Sequence, residues 1–191
     1  MLESNSALAR VPKVSRRAAH GLRIGEAAGW KLVQVAGFAS TAIELQTAMR
    51  PSLGTELPVN VGQAISSGAR ILLKTGPERF WIITLDGEDL APELGSAVAP
   101  AIGSVTSLSH GRACIWIDGS RSREVLATGI AVDLHPTVFR LNSFALTGLH
   151  HTPITIHRSD DQRYSLYVLR TFAVWTWEWI TDAALKFGYE V

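Results

Sequence analysis

The sequence predicts an α+β fold of mostly antiparallel sheets covered by helices, divided into two small subdomains. Three observations carry that reading. Runs rich in β-formers are joined by turns too short for a parallel crossover. Helical patterns stand singly between groups of strands instead of alternating with them one by one. The second half of the chain also reuses the element vocabulary of the first, without any tandem repeat of sequence. At 191 residues the chain is long enough to bury a sizeable core.

Residues 1–28 lack steady periodicity and carry Arg10, Lys13, Arg16, Arg17 and Arg23, with Glu3 the one acid before Glu26. They read as an extended arm that orders on docking; a mitochondrial transit peptide, which shares this composition, is the lesser reading. Trp30–Phe38 is a strand. Ser40–Met49 is a helix, capped by Ser40 and ended by Pro51. The runs ARILLKT and RFWIITL form a hairpin across Gly76-Pro77-Glu78. DLAPELGSAVAP is a helix with Pro92 in its first turn. A boundary falls between Pro100 and Ser104, giving an N-terminal subdomain over 29–102 and a C-terminal one over 103–191. In the latter, RACIWID is a strand and GSRSREVLATG a short helix bounded by Gly119 and Gly129. SFALTGL, TPITIHR and YSLYVL are strands. Thr171 caps a last helix, FAVWTWEWITDAALKF, which Gly188 stops.

Composition narrows the function. A formal net charge of +1 argues against a general nucleic-acid surface. Cys114 is the single cysteine, so neither an internal disulfide nor a cysteine zinc site can form, and a reduced, cytoplasmic setting follows. No apolar run approaches the ~18–20 residues that span a bilayer. Apolar residues make up 47 % and charged residues 18 %, a balance that points to surface covered by a partner.

The candidate chemistry is thin. Asp133 and His135 in VDLHP have the spacing of a metal or acid–base pair. Pro136 and the helix end at Gly129 favour a helix exit instead, with Asp133 accepting backbone N–H bonds and His135 bonding a carbonyl. The adjacent His150 and His151 would point to opposite faces of a strand. Ile154 and Ile156 would take the buried face of their strand, leaving Thr155 and His157 outward. Ser109-His110 are neighbours without a nucleophile elbow. Cys114 reads as a small core residue. GQAISSGAR lacks the Lys-Ser/Thr of a phosphate loop, and no dinucleotide fingerprint occurs. Arg121 and Arg123 open a helix where the dipole prefers anions. In the last helix Phe172, Trp179, Ala183 and Phe187 share one face, read as core, with Trp175 and Ile180 flanking it. Val174, Trp177 and Leu185 lie on another side. A helix apolar on two sides is sandwiched within the domain or covered by another chain.

An ordered set of segments resembles one known family: SALA near the start, LKTGPERFWII, GSRSREVLATG, VDLHPTVF, and RTFAVWTWEWITDAALKFG at the end. It resembles the gamma subunit of heterotetrameric sarcosine oxidase. The resemblance implies a fold similar to part of the glycine-cleavage T-protein, without that protein's folate site. It implies a complex that oxidatively demethylates sarcosine and passes the one-carbon unit to tetrahydrofolate or releases formaldehyde. FAD, FMN and NAD are then expected on the alpha and beta subunits, zinc on a small delta subunit, and tetrahydrofolate among the partner subunits. The gamma chain itself would hold no catalytic, cofactor or metal residue and would serve assembly. The chain departs from the family pattern at Leu108-Ser109 and at Arg140-Leu141-Asn142. Two alternatives stay open. One is a subunit of an N-methylglutamate-type dehydrogenase complex. The other is a free-standing, folate-binding aminomethyltransferase-like protein using Asp133 or Asp118 toward the pterin. A metal enzyme built on Asp133, His135 and His150 or His151 is the third class considered.

Overall fold

The computed structural model describes residues 6–16 and 21–191; Glu3 and Arg17 of the expected arm lie outside them. Two compact units emerge, each built on one five-stranded sheet whose neighbours are all antiparallel. One unit is Gly29–Ser109. The other takes the chain up to Ala28 and again from His110 to Val191.

The Gly29–Ser109 unit holds β2 (Lys31–Gly37), α1 (Ala42–Leu53), β3 (Ala64–Ser67), β4 (Arg70–Gly76), β5 (Arg79–Thr84), α2 (Ala91–Ala97) and β6 (Gly103–Ser107). Its sheet runs β3-β4-β5-β2-β6. The Gly-Pro-Glu hairpin forms between β4 and β5 as expected, with a register shift between Lys74 and Gly76. Strands β3 and β6 were not legible in the sequence. Because β6 pairs with β2, the division expected at 102 moves to after Ser109. Helices α1 and α2 cover one sheet face, placing Leu45, Met49, Leu53 and Leu94 on Val33, Val35, Leu72, Phe80 and Ile82.

Helix α1 departs from expectation at both ends. Ser40 does not cap it; a 3-10 turn, Ala39–Thr41, leads in, and Thr41 N–H donates to the Phe38 carbonyl at 3.0 Å. Pro51 lies inside the helix instead of ending it. Proline removes one i→i−4 hydrogen bond, but Ser52 and Leu53 beyond it are buried. The stop is Gly54, at φ +64° in the left-handed region, whose N–H reaches the Arg50 carbonyl.

The other unit holds β1 (Arg23–Glu26), β7 (Arg112–Asp118), α3 (Ser122–Leu126), β8 (Phe144–Leu149), β9 (Thr152–Arg158), β10 (Arg163–Leu169) and α4 (Ala173–Ala184), in the sheet order β1-β7-β10-β9-β8. Much of the expected arm therefore belongs to this unit. Leu8 is fully buried in its core, β1 pairs with β7, and Arg16 and Tyr189 exchange backbone hydrogen bonds of 2.7 and 2.8 Å. The core gathers Ile24, Ile115, Ile117, Leu166 and Ile156 from the sheet beneath Val125, Leu126, Trp177 and Ile180 of the helices.

Two corrections concern burial. Thr155 and His157 do not face solvent: they are 2 % and 0 % exposed. The second face of β9 is covered as well as the first, as in a central strand buried on both sides. In α4 the buried stripe is Ala173, Thr176, Trp177, Ile180 and Ala184, while Phe172 is 38 % exposed. Alanines at the seam let the helix approach the sheet closely, so the inner face is not the side with most large residues. Thr171, too, sits in a 3-10 turn, Arg170–Phe172, and makes no side-chain cap. Gly188, at φ +69°, follows the helix as expected.

Candidate functional site

The VDLHP segment follows α3. Asp133 Oδ1 accepts the His135 N–H at 2.8 Å, and the His135 carbonyl accepts the N–H groups of Val138 and Phe139 at 2.9 and 2.8 Å. The His135 ring does not bond a carbonyl as expected. Its Nδ1 lies 2.8 Å from Thr137 Oγ1 and accepts the Thr137 N–H at 3.4 Å. Leu134 and Phe139 plug the segment into the core. Arg158, a residue the sequence reading passed over, fastens it from below. Its guanidinium is buried and donates to the carbonyls of Phe139 and Asp161 at 3.0 and 2.9 Å. Asp133, His135 and Arg158 thus act as loop stitching.

The other candidates are dispersed. His150 holds φ +49° in the turn between β8 and β9 and sets its ring edge-on to Trp175 and Trp179, at centroid distances of 6.3 and 5.6 Å. Among the described residues no group of three His, Cys, Asp or Glu side chains could share a metal ion. Ser109 Oγ accepts the Leu32 N–H at 2.9 Å and donates to the Leu32 carbonyl, which ties it to backbone. Cys114 is buried, and burial pushes its thiol up to about 12, far from a nucleophile's range. Asp118 pairs with Arg23 at 2.6 Å and lies 3.8 Å from Arg163. Arg121 is offset by Glu124 within its own helix and lies over the Phe187 ring.

One surface gathers unspent side chains. On the outer side of α4, Val174, Trp175 and Leu185 are 41 %, 39 % and 50 % exposed. Between this face and the paired Arg16 and Tyr189 runs an open groove of about 510 Å³, lined also by Glu178, Trp179, Thr181 and Asp182. Trp179 is set in place from behind. The Gly129 backbone lies so close to its indole that a Cβ there would clash, and His150 packs on it edge-to-face.

Two antiparallel five-stranded sheets, each with its own helices, make an α+β fold similar to that of the glycine-cleavage T-protein. The glycine cleavage system aminomethyltransferase T from Bartonella henselae superposes with a TM-score of 0.64 over 91 % of this chain and 48 % of its own, at 16 % identity, a likeness of fold. More specifically, the model of the sarcosine oxidase, gamma subunit family matches residues 29–186, and the chain belongs to that family. The sarcosine oxidase subunit gamma of Corynebacterium sp. (strain P-1) is 31 % identical over 144 residues, 75 % of this chain and 71 % of that one. That of an Arthrobacter species is 31 % identical over 142 residues, 74 % and 70 % of the two chains. A chain in the structure of heterotetrameric sarcosine oxidase from Corynebacterium sp. U-96, in complex with pyrrole 2-carboxylate, superposes with a TM-score of 0.85. It covers 96 % of this chain and 95 % of its own, at 25 % identity.

Proposed function

We propose that the chain is the gamma subunit of a heterotetrameric, sarcosine oxidase-like complex and serves its assembly. The complex oxidises the N-methyl group of sarcosine and hands the one-carbon unit to tetrahydrofolate or releases it as formaldehyde. The partners are alpha, beta and delta subunits, which carry FAD, FMN, NAD, the folate site and zinc. The observation that carries the proposal is the near full-length superposition on a chain of a heterotetrameric sarcosine oxidase. The local chemistry supports it. Asp133 sits on an exposed loop and accepts the His135 N–H, Asp118 pairs with Arg23, and neither carboxylate lines the groove beside α4. That favours a subunit role over a free-standing folate enzyme.

The test is to purify the chain alone and titrate it with FAD, FMN and a reduced folate, then assay sarcosine-dependent oxygen uptake. The expected result is neither binding nor turnover from the chain, with turnover in the co-expressed complex. Tight flavin or folate binding by the isolated chain overturns the proposal.

A further inference from the structure

We infer that the groove on the outer face of α4 is a docking site for a segment of another subunit that presents an arginine between Trp175 and the carboxylates of Glu178 and Asp182. The inference rests on the chain's being a subunit of a larger complex, and names the surface and the chemistry that hold it there.

The outer face of α4 is electrostatically unbalanced. Glu178 and Asp182 stand one helical turn apart on the same face, and like charges at that spacing destabilise a helix. Asp182 lies in the last turn, where the dipole disfavours an anion, and that turn has no basic residue. Neither carboxylate has an ion-pair partner among the described residues. Lys186, one turn beyond Asp182, lies over the Phe187 ring instead, 4.7 Å from its centroid. Among the described lining residues Arg16 is the one cation, beyond ion-pair distance of both carboxylates, and offsets only one of their two charges. A cation supplied from outside would relieve all of these costs together.

The same face also carries apolar anchors. Trp175 exposes an aromatic surface and is braced by His150, while Trp179 is braced by Gly129 and His150. Braced indoles bind with little ordering cost and are frequent interface anchors. A guanidinium stacks flat on an indole face while its planar fork takes a carboxylate with two N–H groups; a lysine ammonium can lie over a ring but has no such fork. Aromatic face and paired acids together therefore favour arginine over lysine. A second copy of this chain is a poor occupant, because a two-fold contact through this face would set four carboxylates against only two Arg16 guanidinium groups.

The test compares wild type, Trp175→Ala, the isosteric double variant Glu178→Gln/Asp182→Asn, and Val59→Ala as an exposed control in the other unit. Each is titrated against the remaining subunits of its complex, purified without this chain, at low and high salt. Circular dichroism and urea titration of each isolated chain check folding. The expected result is about tenfold or greater weakening for Trp175→Ala and for the double variant, with no change for Val59→Ala. The double variant should also lose part of the salt dependence while its isolated chain is no less stable than wild type. Wild-type affinity in both groove variants overturns the inference and leaves the subunit role standing. Self-association of the isolated chain that Trp175→Ala abolishes also overturns it. Failure of the wild-type chain to join the other subunits would instead refute the subunit role itself.

Discussion

His157 shows how a residue's role depends on the face it is given. The alternation in TPITIHR assigns it outward, because Ile154 and Ile156 are the apolar pair. The strand is covered on both faces, so the ring is buried and neither nitrogen has a hydrogen-bond partner among the described residues. Burial lowers its pKa from 6.5 to about 4. The unfolded chain therefore takes up the proton first as pH falls. Stability linked to this residue is fully present above pH 6.5 and is lost progressively down to about 4, a loss of roughly 3 kcal/mol. Urea unfolding of wild type and His157→Phe between those limits should show a shallower pH dependence in the variant; parallel curves would contradict the assignment. His135 gives the complementary case. Pro136 and the preceding helix end made a structural role legible, whereas the particular acceptor, Thr137, was not, since it depends on how the turn closes. His135→Ala should destabilise the isolated chain by about 1 kcal/mol and leave the flavin content of the assembled complex unchanged; loss of turnover in a stable, fully assembled complex would contradict this role.

At the scale of elements, long periodic runs were legible and short edge strands were not. The hairpin of β4 and β5 and the trio β8 to β10 follow from β-rich runs with turn residues between them. Strand β1 is four residues long, and the five residues of β6 are mostly Gly, Ser and Thr, so neither carries a pattern of its own; each exists because a neighbour offers an edge. Gly103 shows what β6 requires. A Cβ there would fall 2.7 Å from the Ala36 carbonyl oxygen and 3.0 Å from Leu45 of α1. Gly103→Ala should destabilise the chain by about 1–3 kcal/mol, measured by urea denaturation, because helix and strand must separate to admit a methyl group. A neutral effect would mean that β6 has room to shift. Helix α4 was found in full, and Trp179, Ala183 and Phe187 do pack against the core, but Trp177 is the deeper residue and Phe172 lies outward. Counting large residues favoured Phe172 and Trp179, whereas close approach through Ala173 and Ala184 decided which side meets the sheet.

For the whole molecule, the sequence announced a chain with little chemistry of its own and more apolar surface than one domain hides. The ordered segments located the family, but the groove beside α4 could not be read from them. It needs Arg16 and Tyr189, far apart in sequence, to pair beside the helix, and that pairing leaves no local signature. The central claim is that this chain is held by, and helps to hold, larger subunits. The most direct measurement is size-exclusion chromatography of the separately purified chain mixed with the remaining subunits, with absorbance followed at protein and flavin wavelengths. The account predicts that the chain moves into a single flavin-containing peak at stoichiometric amount and is colourless alone. A chain that elutes alone from such a mixture, or that carries flavin without partners, would contradict it.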